Sequence, residues 1–480
     1  MSLPHQGLPA EQVLDELRAL RAGDLPTHGG RTLAYVYDSG RALDGLGAAA
    51  HALASSANGL DPTAFPSLLR MENDVVAAAA ALLGGGSTAA GNVTSGGTES
   101  CLLAVYAARA ARPDIEAPRM VLPSTAHAAF HKAARYFGVE PVVVDVDPDT
   151  FRPDPAAMAA AIDERTVLVV LSAPSYAHGV VDPVAPVAAA AAERGVRCHV
   201  DACIGGWLLP YFRRLGVEVP DFDLSVPGVT SISVDLHKYA YCPKGTSVLL
   251  HADADLRRAQ YFASAAWPGY TMLNSTVQST RSGGPLAAAW AVLRHVGDAG
   301  YAELAGHTLT AVRTLRAGIG DIDGLRVLGD PCASLLAVTA TGDDLDVFTV
   351  ADEMTARRWY LQPQFAHGSS PANLHLTVTA ANHGSEPELL ADLAASVAAA
   401  RAGGPVRVPP EVVDVIAALD PATLTSEQFA GLLAAAGLNG TGLPDRMAGV
   451  NALLAAAPAP LRERVLVEFL GVLYTPRHPE

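Results

Sequence analysis

Residues 166–201 read TVLVVLSAPSYAHGVVDPVAPVAAAAAERGVRCHVD. The stretch opens on an apolar, β-branched run, Thr166 to Leu171, and closes on a second, Val196 to Val200. Short apolar runs bounded by Pro, Gly or Asp are what strands buried on both faces of a parallel sheet require. Between the two runs, Pro183 to Arg194 is alanine-rich with proline at its start, which predicts a helix. Strand, helix, strand is the repeating unit of an α/β fold joined by right-handed crossovers.

The same alternation continues on both sides. Arg119 to Leu122, Pro141 to Asp145 and Thr230 to Val234 read as strands, and Ala126 to Phe137 as a helix. It begins near Asn58, after an arm with one helix around Leu14, Leu17 and Leu20 and a Gly-rich loop. Beyond a helix starting near Pro285 the pattern becomes α+β, with strands near Ser334 to Thr339 and Asn373 to Thr379. A Gly/Pro-rich linker around residues 401–410 then leads to Ala/Leu-rich helices. The expected organisation is an arm (1–57), a large α/β domain (58–295), a small C-terminal α+β domain (296–404) and a helical extension (405–480). Ligands on open α/β sheets bind outside the carboxyl ends of the strands, so the chemistry is expected at strand exits.

Composition narrows the classes. With 480 residues, 50% of them hydrophobic and 17% charged, the chain can bury a large core and is not disordered. A net charge of −16 repels a phosphate-coated polymer, which argues against nucleic acid as a partner. The longest apolar runs, such as Val75 to Leu83, fall well short of the ~20 residues of a membrane span. No signal segment is evident in MSLPHQGLPAEQ, so a cytoplasmic location is expected. Five cysteines without a CxxC pair point to reduced thiols, with neither a disulfide framework nor a metal site.

Four short elements carry possible chemistry. In Ser233-Val-Asp-Leu-His-Lys238-Tyr a lysine follows a strand, where desolvation could favour a nucleophilic amine. In His199-Val-Asp201-Ala a carboxylate follows another strand and could hold a proton on a pyridinium nitrogen. Thr94-Ser-Gly-Gly-Thr98-Glu-Ser runs into a helix beginning near Ser100, a start suited to a phosphate dianion; no Gly-Lys-Ser/Thr follows, so it is not a Walker loop. Ser124-Thr-Ala-His127 places an imidazole after a strand, where it can stack on a flat ring. Each has an ordinary structural alternative: a solvated lysine, a turn or capping Asp, a Thr98 or Ser100 helix cap, a hydrogen-bonded histidine. Together, and in the chain order phosphate cradle, histidine, aspartate, lysine, they meet the requirements of pyridoxal 5′-phosphate (PLP).

The segments TSGGTES, AHAAFHKAARYFG, HGVVDPV, HVDACIGGW and GVTSISVDLHKYAYCPKG, with Ser282-Gly-Gly, resemble those of the PLP-dependent group II decarboxylase superfamily, and within it the sphingosine-1-phosphate lyases. The similarity runs from about Gly30 to the LPDR near residue 445. It implies fold type I: a large domain on a mostly parallel seven-stranded sheet and a small C-terminal domain. Lys238 would hold the cofactor covalently, Asp201 would pair with the ring nitrogen and His127 would stack on the ring. Gly97, Thr98, His237 and Ser172 would complete the cofactor site. The resemblance further implies a homodimer with active sites at the interface, the arm including Tyr37 and the loop Trp267 to Arg281 coming from the partner. Substrate contacts would fall to Tyr37, Lys244, Asp61, Met272 and Asn274. Here the chain departs from the lyases, which usually carry His at the Asp61 position, Tyr at Met272 and Ser-Pro at Asn274-Ser275, whereas Lys244 and Tyr37 match. A carboxylate in place of a cation near a substrate phosphate is unfavourable, by about 4 kcal/mol at 4 Å and an effective dielectric of ~20. The alternative for Asp61 is a capping or turn residue pointing elsewhere.

The leading expectation is therefore an aldehyde-lyase acting on an amino alcohol or phosphorylated sphingoid-like amine. The alternative is an amino-acid decarboxylase. A non-catalytic scaffold would be expected to have lost Lys238 or Asp201, and both are present.

Overall fold

The computed structural model of the chain describes residues 3–435 and 444–476. The chain divides into two compact units, His28–Val338 with His375–Leu390, and Met1–Thr27 with Thr339–Leu374 and Ala391–Glu480.

The first unit is built on seven strands: β1 (Ala90–Thr94), β2 (Arg119–Pro123), β3 (Glu140–Val144), β4 (Thr166–Ser172), β5 (Arg197–Asp201), β6 (Ser231–Asp235) and β7 (Ser247–His251). Their order is β1-β7-β6-β5-β4-β2-β3. β7 runs antiparallel to both neighbours, and every other pair is parallel. The five strands expected from apolar runs are present within a residue or two of their expected bounds. β1 and β7 are additions that the sequence pattern had not singled out.

Side chains alternate across the sheet with the period of two that a strand imposes. Met120, Leu122, Leu168 and Val170 pack with Phe130 and Ala133 of helix Ala128–Phe137 and with Val105 of helix Gly97–Ala110. Val121, Val169 and Leu171 point the other way, into a cluster with Val187, Ala188 and Ala191 of helix Val184–Glu193. The alanine run thus has a packing role, since small side chains let that helix lie close on the sheet.

The helix expected near Pro285 spans Gly284–Gly320, with a kink at Gly297 where φ is 64°. That kink falls next to the expected boundary between large and small domains. The strands expected downstream are Leu335–Ala340 and Asn373–Thr377. Within the second unit, helices Pro410–Ala417, Ala448–Ala456 and Ala459–Leu473 share a small core around Ile416, Ala457 and Leu461. Residues 436–443 and 477–480 of the expected extension, including Leu443 of LPDR, lie outside the described residues. No described helix is long and apolar enough to cross a membrane.

Candidate active site

The carboxyl ends of β1, β2, β4, β5 and β6 open onto one cavity of about 390 Å³. Its wall comprises residues 95–99, His127, Ser172, Asp201, His237 and Lys238, together with Tyr176, Cys203 and Asp235. All seven residues expected to hold a cofactor therefore meet at one place, where open α/β sheets bind ligands.

Each is positioned by its strand. Asp201 ends β5 beside Ser172 of β4, to which it is registered. The Asp201 carboxylate is buried, and its Oδ1 accepts from Cys203 N at 3.1 Å and from Ser233 Oγ at 3.4 Å. Ser233 also contacts His199 Nε2, whose Nδ1 reaches Ser231 Oγ at 2.9 Å, so a polar chain fixes the carboxylate from behind. Ser172 N donates to Asp182 Oδ2 at 2.7 Å, and burial pushes this second carboxyl up to about 7. His127 stands at the start of helix Ala128–Phe137, where its Nδ1 accepts from Ala129 N at 3.2 Å.

The helix expected from Ser100 begins at Gly97, and no side chain caps it. Thr98 does not cap it, and the Ser100 hydroxyl turns inward to Thr94 Oγ1 and Ser247 Oγ. The first-turn N–H groups therefore keep their capacity for an anion. A Cβ on Gly97 would lie 2.7 and 2.8 Å from the Asp235 oxygens and 2.8 Å from Cys203 Sγ, so only glycine fits without displacement.

Lys238 projects from the turn after β6. Its Nζ lies 3.0 Å from Asp235 Oδ2, and His237 Nε2 approaches the same oxygen at 3.5 Å. Burial alone would favour the neutral amine, but Asp235, with Tyr37, Cys203 and Asp201, holds Lys238 well above the ordinary lysine range. Burial likewise works against the charge of Asp235, which Lys238 and His237 outweigh, keeping the carboxyl below its usual range. Two buried polar atoms on the wall, Asp235 Oδ1 and His237 Nδ1, have no hydrogen-bond partner.

These features fit PLP. An amine, a buried carboxylate, an imidazole with an unpaired ring nitrogen and an uncapped helix start match an aldehyde, a ring nitrogen and a phosphate. Cys101 Sγ, Cys203 Sγ and an Asp201 oxygen lie within 4.8 Å of one another, but the contact with Cys101, burial and the nearby carboxylates hold the Cys203 thiol well above its ordinary range.

The expected substrate residues divide. Lys244 Nζ lies 4.9 Å from the centre of the Tyr37 ring, and that ring meets Tyr239 edge-on at 5.1 Å. Burial and the charge of Lys238 lower Lys244 to about 8. Tyr37 is thus supplied by the same chain as Lys244, not by a partner as expected. The segment before it is tied down locally: Thr377 N donates to Leu33 O, and Asn382 Nδ2 to Gly30 O. Asp61 accepts from Thr63 N, Thr63 Oγ1 and Ala64 N, forming a local turn away from the cavity wall. Met272 and Asn274 lie on a strand, Met272–Asn274, that pairs with Phe262–Ser264 and is not part of the wall in one chain.

Sequence reasoning did not single out Asp235 or Glu99 as site residues, and it left Tyr176, His178 and Cys203 to geometry, which puts Tyr176 and Cys203 on the cavity wall. The sequence signal for Asp235 is its place three residues before the lysine at a strand's end. Glu99 joins two segments, its carboxylate accepting from Ser95 N and Val277 N.

Comparison with known proteins gives two family matches: "Pyridoxal-dependent decarboxylase conserved domain" over residues 1–324 and "Pyridoxal-dependent enzyme, C-terminal putative HTH domain" over residues 410–472. The chain is 37% identical to a sphingosine-1-phosphate lyase of Dictyostelium discoideum over 399 residues, 82% of this chain and 74% of the relative. To sphingosine-1-phosphate lyase 1 of Rattus norvegicus it is 37% identical over 382 residues, 79% of this chain and 66% of the relative. A solved structure of a sphingosine-1-phosphate lyase from Burkholderia pseudomallei superposes with a TM-score of 0.79 at 37% identity, covering 84% of this chain and 93% of that one.

Proposed function

Because the chain belongs to the pyridoxal-dependent decarboxylase family, as a sphingosine-1-phosphate lyase-like member, we propose that it is a PLP-dependent carbon–carbon lyase of the aldehyde-lyase type. Its substrate on this reading is an amino alcohol or a phosphorylated sphingoid-like amine. The observation that carries the proposal is the convergence of Lys238, Asp201, His127 and the uncapped helix start at Gly97 on one cavity.

When bound, PLP supplies an aldehyde that takes up an amine and a pyridinium ring that accepts the electron pair left by a breaking bond. The protein's share is positioning and proton control. Lys238 is the covalent anchor and, when released, a proton carrier at the cavity floor. Asp201, held by Cys203 N and Ser233, faces the task of keeping a ring nitrogen protonated. The His127 ring gives one wall of the slot. Gly97, Thr98 and His237 Nδ1 would hold the phosphate, and Ser172, in register with Asp201, would line the cofactor slot. Tyr37 and Lys244, adjacent to one another and to Lys238, receive the polar head of the substrate.

The same proposal takes the large domain 58–295 as cofactor-binding, with 296–404 and 405–480 as accessory parts. It takes the working form as a cytoplasmic homodimer in which Asp61, Met272 and Asn274 approach a partner's cavity. Exposed Trp267, Tyr270 and Leu273 beside Met272 support that last point, because a contiguous apolar surface of this kind suits a protein contact. Purified protein loaded with PLP is expected to release a fatty aldehyde from sphingosine 1-phosphate. Release of CO2 from an amino acid, with no aldehyde, would favour the decarboxylase reading.

A further inference from the structure

The buried pair Asp235–Lys238 has a role distinct from holding the cofactor. Asp235 is 2% exposed and ends β6, so its place is fixed by the sheet. One oxygen binds Lys238 Nζ at 3.0 Å, and the other has no hydrogen-bond partner. Both oxygens face Gly97, at the helix start assigned to the phosphate. A buried charge is retained at a cost unless it is paired, and here the partner is the lysine that must react.

The other groups around Lys238 do not replace this partner. From β5 come Asp201 and Cys203, from helix Gly97–Ala110 Cys101, from the arm Tyr37, from the loop after β4 Tyr176, and from its own turn His237 and Lys244. Asp201 is the one other carboxylate in this group; it is hydrogen-bonded to Cys203 N and Ser233 Oγ, with no ion pair to Lys238. Lys244 is a second cation close by, which opposes the charge on Lys238.

We propose that Asp235 is a positioning residue that holds the free Lys238 side chain as an ammonium ion at the cavity floor. The inference rests on Lys238 being the cofactor anchor. Attachment joins Nζ to the aldehyde carbon and releases one water, and the nitrogen must first lose its proton to expose a lone pair. Asp235 therefore slows cofactor capture near neutral pH. The same contact keeps the lysine, once displaced by a substrate amine, charged and inside the site as a proton donor. The two effects have opposite signs, which a residue that merely supports the fold would not produce.

The test follows PLP attachment to cofactor-free protein by the absorbance that appears at about 420 nm. Wild type, Asp235→Asn and Asp235→Glu are compared across the neutral to alkaline range. In wild type the rate is expected to climb about tenfold per pH unit while the free amine is the minor form. Asp235→Asn should attach at least tenfold faster near neutrality, level off at lower pH and turn over more slowly once loaded. Asp235→Glu should keep the wild-type pH dependence. Superimposable profiles for wild type and Asp235→Asn would overturn the inference while leaving the anchor intact. Failure of the wild type to attach PLP would overturn the anchor and the inference with it, and failure of folded Asp235→Asn alone would overturn the inference only. If Asp235→Asn does not fold, competitive lysine labelling of the wild-type protein decides. Lys238 should then titrate above exposed Lys132, and titration at or below it would refute the proposal.

Discussion

His127 Nδ1 accepts the backbone N–H of Ala129 at 3.2 Å, which leaves the ring proton of the neutral imidazole on Nε2 and fixes the ring at the cavity wall. A residue placed by its own backbone in this way serves as a surface for a flat ring. His127→Ala is expected to weaken PLP affinity by about fivefold, the size of one aromatic contact of ~1 kcal/mol, and His127→Phe to recover most of it. Equilibrium dialysis against PLP measures both.

Asp201→Asn removes a charge while keeping the shape of the side chain. Cofactor should still attach, but turnover should fall by about a hundredfold or more, the scale of removing one electrostatic stabiliser from an enclosed site. Single-turnover aldehyde release separates this from a loss of binding.

Gly97→Ala places a methyl group against Asp235 and Cys203. Overpacking at such a site costs about 1–3 kcal/mol, so a lower Tm is expected. The shifted helix start should weaken phosphate binding, so PLP affinity should fall more than pyridoxal affinity.

Asp182 is buried, and its carboxyl is pushed up to about 7. The folded protein then keeps a proton that the unfolded chain releases near pH 4, so this group's contribution to stability falls as pH rises from about 4 to about 7 and is level above that. Asp182→Asn removes the dependence. Its stability relative to wild type should grow across that interval by a few kcal/mol, measured by urea unfolding at each pH.

Lys244, lowered to about 8, carries its charge below that pH. KM for a phosphorylated amine is expected to rise as pH passes about 8, and Lys244→Met should abolish that rise. KM for the unphosphorylated amine should change little in either protein.

The parts of the fold legible in the sequence are those whose residues speak locally. β2 to β6 carry apolar or β-branched runs that suit a doubly covered sheet. β1, Ala-Gly-Asn-Val-Thr, has no such run, and its antiparallel pairing with β7 is what makes it a strand. Of the residues proposed to hold the cofactor, Lys238, Asp201, His127 and the helix start at Gly97 were legible because they sit at strand exits or a helix start, whereas Ser172 and His237 came from the family resemblance. Asp235 carried only the signal of its place three residues before the lysine at a strand's end, and that both side chains turn into the same cavity is decided by the fold. For Asp61 the sequence left two readings open, a substrate contact or a local turn, and spacing could not choose the turn on Thr63 and Ala64 that this chain forms. Both facts come from tertiary placement.

The chain contains three lysines, Lys132, Lys238 and Lys244, which makes the central assignment open to a direct measurement. The protein is loaded with PLP, reduced with borohydride, digested and mapped by mass. The account predicts one pyridoxyl adduct, on Lys238, absent from Lys238→Ala. An adduct on Lys132 or Lys244, or none on any lysine, would contradict it.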